Sequence, residues 1–506
     1  MTRFVHLTYA SLASEADMVG GWQFKQDSGS TPAEREWTLP DVPTTQDLPE
    51  PLSRYPGPDE LAAIPRRMAF IAGDDMLPAF LVHSVAAGPD ATRRPGNVFS
   101  QVLLDRDLTD ELAGEKPVRP IEYWRSPMWL TPYGHDAVRS AHVDEDLPPQ
   151  LGGGVVRDRI IASFKEDPAS ANRITELLDA TDAALAGRTK VVLIVGDPDD
   201  AARWIGILSF LASPPTAARL TFSTYERTAE LLTNGARAML SAVLTADFFD
   251  PVANHPAIAA GQDRLVFFDL SSDPQVVRYG PEQSQSDWSE LIVELFDETA
   301  ATIVERLQMM DAISRDYPEA AASPCWPLAV AMARTESADE ALQVVGAAIL
   351  RHTPATIDLD PDLALTARTL LARFAGSDRG ALLTVLGGKD RRVSANRLLL
   401  DMALEAVAGR PPDEPGDPTA SPVLEAVIAE IRRRGDEQSS WSQSALVLLD
   451  QLMKSSGLIS SGRWHERVAD ALAREVRRDP RLPKDFDGDL DEKTRQRLAA
   501  VTNGGV

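Results

Sequence analysis

The run Lys190-Val191-Val192-Leu193-Ile194-Val195 leaves this chain few choices. Five aliphatic residues in succession give a strand with no polar face to turn toward water, so it must be covered on both sides. Gly196-Asp197-Pro198 follows, with Asp197 placed as a helix N-cap and Pro198 as the first helical residue. The largely apolar stretch from Ala201 to Ala212 extends that helix until Ser213-Pro214-Pro215 ends it. Leu220, Phe222 and Thr224 then alternate with Thr221, Ser223 and Tyr225, the period of a second strand. Strand, helix and strand in this order predict parallel pairing through a right-handed crossover.

Around this unit the chain reads as an α+β multidomain protein: a mixed-sheet N-terminal domain over residues 1–150, a small α/β middle domain over 151–285 and an all-helical C-terminal region over 286–506. In the first part, strands are expected at Arg3 to Ala10, Gly20 to Lys25, Met68 to Ala72 and Leu77 to Val85, while the run after Arg94-Pro95-Gly96 suits a strand or a short helix. Six prolines between Leu39 and Pro58 forbid a regular element there and predict an extended segment. Glu122 to Gly134 holds four aromatic residues and two prolines, too broken for a helix. That stretch closes a core; an exposed aromatic surface built from Trp124, Trp129 and Tyr133 would instead be a docking site. Leu147-Pro148-Pro149-Gln150-Leu151-Gly152-Gly153-Gly154 reads as a linker. Helices are expected near 155–166 and 169–186, and a further strand at Arg264 to Leu270. From Asp287 onward apolar residues recur at helical spacing, as at Leu291, Ile292, Leu295 and Phe296, at Leu342, Val345 and Ile349, and at Leu446, Leu449 and Met453, with breaks at Pro354, Gly376 and Gly387-Gly388.

The charge balance excludes some functions. With 76 acidic against 51 basic residues the net charge is −25, which repels the phosphates of nucleic acid and anionic lipid. The single cysteine, Cys325, rules out an internal disulfide and suits a buried apolar role. No leader-like segment and no apolar run of about 18 residues is found, so a cytoplasmic setting without membrane contact is expected. No phosphate-binding loop is complete: Gly387-Gly388-Lys389-Asp390 has Leu383 in place of the leading glycine. The acidic run from Asp485 to Glu492 fails the calcium-loop pattern, and His135 and His142 lack a third ligand. Arg432-Arg433-Arg434 and Arg474 to Arg478 read as solvated helix faces, with docking to an acidic protein partner as the alternative. Asp197, Asp199 and Asp200 stand at the carboxyl end of a parallel strand, where open sheets place ligands. Their first reading is an acidic helix cap; the alternative is a magnesium site completed by Ser223 or Thr224.

Four stretches together resemble one family. They are Leu7-Thr8-Tyr9-Ala10-Ser11, Gly20-Gly21-Trp22-Gln23-Phe24-Lys25, Arg94-Pro95-Gly96-Asn97-Val98-Phe99 and Leu220-Thr221-Phe222-Ser223-Thr224-Tyr225. They resemble the GTPase-associated protein 1-like proteins of bacterial conflict systems, with an N-terminal domain of type 2 and a middle domain. The resemblance implies an accessory adaptor or regulator that works beside a GTPase; it brings no catalytic residues and no cofactor. The expectation is therefore a non-enzymatic adaptor with a protein partner, and the alternative a metal-dependent enzyme with its site at the Asp197 loop.

Overall fold

The computed structural model describes residues 3–386 apart from short internal stretches, of which 14–19, 109–115 and 249–263 are the longest, and isolated positions between 396 and 406. Two compact units are present, Met1–Pro324 and Cys325–Val506.

The first unit holds one mixed sheet of ten strands: β1 (Phe4–Ala13), β2 (Gly20–Asp27), β3 (Arg67–Ile71), β4 (Ala79–Gly88), β5 (Asn97–Asp105), β6 (Lys190–Val195), β7 (Phe222–Ser223), β8 (Leu240–Leu244), β9 (Leu265–Asp269) and β10 (Val277–Tyr279). Their order is β10-β9-β6-β8-β7-β3-β4-β5-β1-β2. The five strands β3, β4, β5, β1 and β2 pair antiparallel. β9, β6, β8 and β7 pair parallel, with β10 added antiparallel at the edge. The two halves meet where β7 pairs antiparallel with β3, through Ala69 opposite Ser223 and Phe70 opposite Phe222. One sheet therefore runs through both regions that the sequence set apart at the glycine linker.

The two strands have the predicted relative direction but are not neighbours. β6 and β7 run parallel, yet β8 lies between them. β7 is only two residues long, and flanking threonines extend its pairing. Thr221 Oγ1 accepts from Met239 N at 2.9 Å, and Thr224 Oγ1 accepts from Met68 N at 2.9 Å. The run Val191–Val195 is wholly buried, as its lack of a polar face required.

Helices cover this sheet. α1 (Pro32–Thr38) opens with a capping box between Thr31 and Glu34 and continues into a 3-10 turn at Leu39–Asp41. Regular structure thus enters the start of the proline-rich segment, and Asp41 and Val42 are buried there. α2 (Arg157–Glu166) and α3 (Pro168–Leu185) follow the linker, and α4 (Pro198–Leu211) is capped by Asp197, whose side chain accepts from Asp199 N and Asp200 N. α5 (Asp287–Asp297) and α6 (Ala300–Asp316) belong to this unit too, although their periodicity had grouped them with the helical region. Trp288, fully buried on α5, donates to Leu211 O at 3.2 Å and so holds α5 on the end of α4.

Among the described residues of the second unit are α7 (Trp326–Ala333), α8 (Asp339–His352) and α9 (Pro361–Leu386). Trp326 Nε1 donates to Thr353 Oγ1 at 2.8 Å, tying the start of α7 to the end of α8. Leu342, Val345 and Ile349 are buried, as their spacing predicts, and Cys325 is buried. α9 runs through Gly376, where a break was expected; its backbone leaves helical geometry at Asp378 instead. The loop at Gly387–Asp390, the periodic set at Leu446, Leu449 and Met453, the basic stretches and the acidic run at Asp485 lie outside the described residues. No helix among the described residues is long and apolar enough to cross a membrane.

Candidate functional site

Parallel strands bring their carboxyl ends to one edge of the sheet. Here that edge carries Gly196–Asp200 after β6, Thr224–Arg227 after β7 and Thr245–Asp247 after β8. The chain leaves β6 toward β7 on one side and leaves β8 toward β9 on the other, so the switch of direction falls between β6 and β8. At that point Thr245 donates from both N and Oγ1 to Val195 O, each at 2.8 Å. The gap is stitched shut.

The Asp197 loop is engaged in the same way. Asp197 Oδ1 caps α4, with Asp199 N at 2.7 Å and Asp200 N at 2.9 Å. Asp199 accepts from Trp124 Nε1 at 2.6 Å and takes a two-pronged bond from Arg125, Nε to Oδ1 at 2.9 Å and Nη2 to Oδ2 at 2.8 Å. Burial pushes the Asp199 carboxyl up, but the Arg125 and Trp124 bonds outweigh it and hold the group below the usual carboxylate range. Asp200 is shifted the other way, first by burial and then by the charge of Asp197, with Arg203 partly opposing. The hydroxyls expected to complete a magnesium site turn elsewhere: Ser223 Oγ donates to Tyr225 O and Thr224 Oγ1 serves Met68 N. Asp197 thus caps the helix and Asp199 anchors the strap, while Asp200 pairs with Arg203 at 3.3 Å. Among the described residues no three His, Cys, Asp or Glu side chains form a group of metal-holding kind.

The strap is the aromatic stretch itself. Trp124 and Trp129 are 2% and 5% exposed, so these two indoles close the core and do not offer the docking surface weighed for them. Trp129 stacks on His83 with ring centroids 5.3 Å apart and donates to Tyr123 O at 2.8 Å. Tyr133 is half-buried and lies against Gly88, where an added Cβ would meet its ring at 2.9 Å. His83 is pushed down to about 3 by burial, helped by the charges of Arg66 and Arg125, and packs as a neutral ring. The supposed linker is seated on the strap: Gly152 N donates to Glu122 O at 2.8 Å, and a Cβ at Gly152 would fall 1.6 Å from Trp124 O. Only glycine fits there.

Beneath the strap lies a buried ionic brace. Arg119, with no exposed surface, donates from Nη2 to Asp311 Oδ1 at 2.7 Å and to Ala212 O at 3.0 Å, and from Nε to Ser209 O at 3.2 Å. Arg157 Nη2 takes the second oxygen of Asp311 at 2.6 Å. One carboxylate on α6 so holds the strap, α2 and, through Arg119, the end of α4.

At the seam, Arg67 donates from Nε and Nη2 to Glu226 Oε1 at 3.0 and 2.8 Å and from Nη1 to Asp41 O at 3.0 Å. Arg227 pairs with Asp247 at 2.7 Å. These groups border a cleft of about 170 Å³ whose walls include Pro43, Gln46, Arg67, Tyr225, Glu226 and Glu230. Behind it Asp41 is 5% exposed, and burial pushes its carboxyl up to about 6 even though Arg237 lies 2.7 Å from its Oδ2. Arg237 also lies over the Trp37 ring, 5.3 Å from its centroid. The approach to Oδ2 lacks hydrogen-bond alignment, which is why desolvation prevails.

Sequence reasoning found the Asp197 cap and the aromatic strap. It missed Arg67, Arg119, Arg125 and Asp311, because single arginines and aspartates in a charged chain carry no local pattern; their partners lie 74 to 192 residues away.

Residues 3–147 match the family described as GTPase-associated protein 1, N-terminal domain type 2, and residues 161–246 match GTPase-associated protein 1, middle domain. Two relatives from Mycolicibacterium smegmatis, in strains MKD8 and mc(2)155, carry a name that provisionally assigns SaeB to ESX-1 scaffolding and assembly. They are 38% identical to this chain over 384 and 385 residues. Each match covers 74% of this chain and 45% of the relative, so the aligned part spans just under half of those proteins. Through its two matched regions the chain belongs to the GTPase-associated protein 1 family, with an N-terminal domain of type 2 joined to a middle domain.

Proposed function

We propose that this chain is a scaffold or adaptor that binds protein partners and carries out no turnover of its own. One observation carries the reading: the ionisable groups at the carboxyl-end rim are spent on one another. Asp199 is taken by Trp124 and Arg125, Glu226 by Arg67, and Asp247 by Arg227 and Thr228 N. A catalytic rim keeps such groups convergent on an enclosed pocket, whereas here they fasten one segment to another. The family description supports a GTPase as the partner; a bacterial signalling or conflict setting is what the resemblance noted in the sequence implies. The name of the relatives supports a part in assembling a larger apparatus such as ESX-1.

The test is affinity capture of the tagged full chain from its native host, with partners quantified by mass spectrometry and GTP hydrolysis of the captured complex compared with that of the partner alone. A stoichiometric GTPase or a set of apparatus subunits supports the proposal. Recovery of the chain alone, or turnover of small substrates by the isolated chain, overturns it.

A further inference from the structure

The cleft of about 170 Å³ at the seam leaves acceptors in its walls without donors. Glu226 is held by Arg67, yet both prongs of that guanidinium land on Oε1, and no donor among the described residues reaches Oε2. The Glu226 side chain keeps 20% of its surface exposed, so the carboxylate is held in place while its second oxygen stays open. Deeper in, Gln46 donates from Nε2 to Pro65 O at 2.8 Å, and since a proline carbonyl can only accept, the other end of the amide is the oxygen. That Oε1 is buried and accepts no bond among the described residues, and Asp41 Oδ2 lacks an aligned donor too. Glu230 adds a further carboxylate where the wall is exposed.

The cations of the walls are already committed. Arg67 spends Nε and Nη2 on Glu226 and Nη1 on the Asp41 carbonyl, and Arg227 pairs with Asp247. An anion entering here would meet Asp41, Glu226 and Glu230 with both guanidinium groups paired, whereas a cation meets acceptors that lack donors. Size narrows the occupant further. The volume is roughly half of the ~300 Å³ at which pockets begin to enclose a drug-sized ligand, and it suits one long side chain. Pro40 and Pro43 on the walls give the methylene stem of such a side chain an apolar path while its charge goes in to Glu226.

We infer that this cleft is a docking site for an arginine or lysine side chain on a basic segment of a partner protein, with Glu226 Oε2 as the acceptor that receives it. The chain's net charge of −25 draws such a segment in from a distance, and the unpaired oxygen decides where its charge comes to rest. The inference rests on the adaptor reading above and gives that reading one surface and the sign of its partner's charge.

The test uses the full chain and a fluorescein-labelled peptide of alternating arginine and serine, followed by fluorescence anisotropy at about 0.15 M salt, where general charge attraction is screened. Glu226→Gln weakens binding about tenfold, the equivalent of 1.4 kcal/mol. Asp136→Asn, which removes the same charge from a fully exposed side chain outside the walls, leaves binding unchanged. Thr45 is an exposed wall residue: Thr45→Glu tightens binding severalfold, an outcome that misfolding does not produce, and Thr45→Lys weakens it. Circular dichroism and thermal melting check that each variant folds. No binding by the parent, equal binding by the parent and Thr45→Lys, or the same loss in Asp136→Asn as in Glu226→Gln overturns the inference. Spermidine that binds as tightly as the peptide, with the same dependence on Glu226, makes the cleft a small-amine site and overturns it as well. If the Thr45→Lys chain still captures its host partner undiminished, this docking site falls while the adaptor reading stands.

Discussion

The central strands of the two halves of the sheet are buried on both faces, but they reach that state by different chemistry. In the parallel half, β6 is apolar along its whole covered length and lies among helices whose own backbone groups are already paired. Such a cover asks nothing polar of the strand. In the antiparallel half, β4 and β5 are equally buried yet carry His83, Ser84, Ser100 and Gln101. Ser84 and Ser100 satisfy each other across the strands at 2.8 Å. Gln101 does more: it donates to Met128 O and accepts from Leu130 N, each at 3.1 Å. An irregular strap has no ladder of its own, so the strands beneath must supply its hydrogen bonds. Full burial therefore does not by itself distinguish parallel from antiparallel strands; the polarity of the buried side chains reports what covers them.

This contrast is open to attack, most strongly at the brace under the strap. Arg119→Ala removes three bonds and strips Asp311 of one of its two cations, and is expected to cost about 3–5 kcal/mol in denaturant unfolding, the range for breaking a buried ion pair. A loss below about 1 kcal/mol would mean that the strap is held by packing alone.

Asp41 offers a pH-dependent test at the seam. Its folded-state value, about 6, lies above the ordinary 3.8, so the folded chain binds a proton more readily than the unfolded one. The stability this lends is present below the ordinary value and is lost as pH rises through about 6. Asp41→Asn should flatten that decline by up to about 3 kcal/mol between pH 4 and 7, read from melts across the range. If the parent and variant curves run parallel, the Arg237 contact neutralises the burial cost.

Gln101→Ala leaves Met128 O and Leu130 N without their partner and should cost about 2 kcal/mol, with hydrogen exchange quickened at Leu130 and unchanged at Val192. Equal protection loss in β6 would erase the distinction between the halves. The smallest effect is expected at the outer rim, where the Asp199 side chain is 54% exposed: Asp199→Asn should change stability by less than about 1 kcal/mol.

Much of the local structure was legible. Pro198 after Asp197 and the alternation around Phe222 both act within a single turn or strand. The candidate site was only half legible. Asp197 was found as a cap, because capping is local, but the aromatic stretch admitted both core and docking roles until the indoles were seen inside. The linker at Gly152 misled in the opposite direction. Three glycines suggest freedom, whereas one of them is required by a backbone approach that leaves no room for a Cβ.

By itself the sequence determined that Val191–Val195 must be a doubly covered strand, that a capped helix follows it and that Cys325 forms no internal disulfide. Only the tertiary structure decided that β8 enters between β6 and β7, that a two-residue strand joins both halves into one sheet, and that Arg119 finds Asp311 across 192 residues. The reason is range: propensity, periodicity and capping act over a few neighbouring residues, while strand order and ion pairing follow from which distant surfaces can bury each other, and no single segment records that choice.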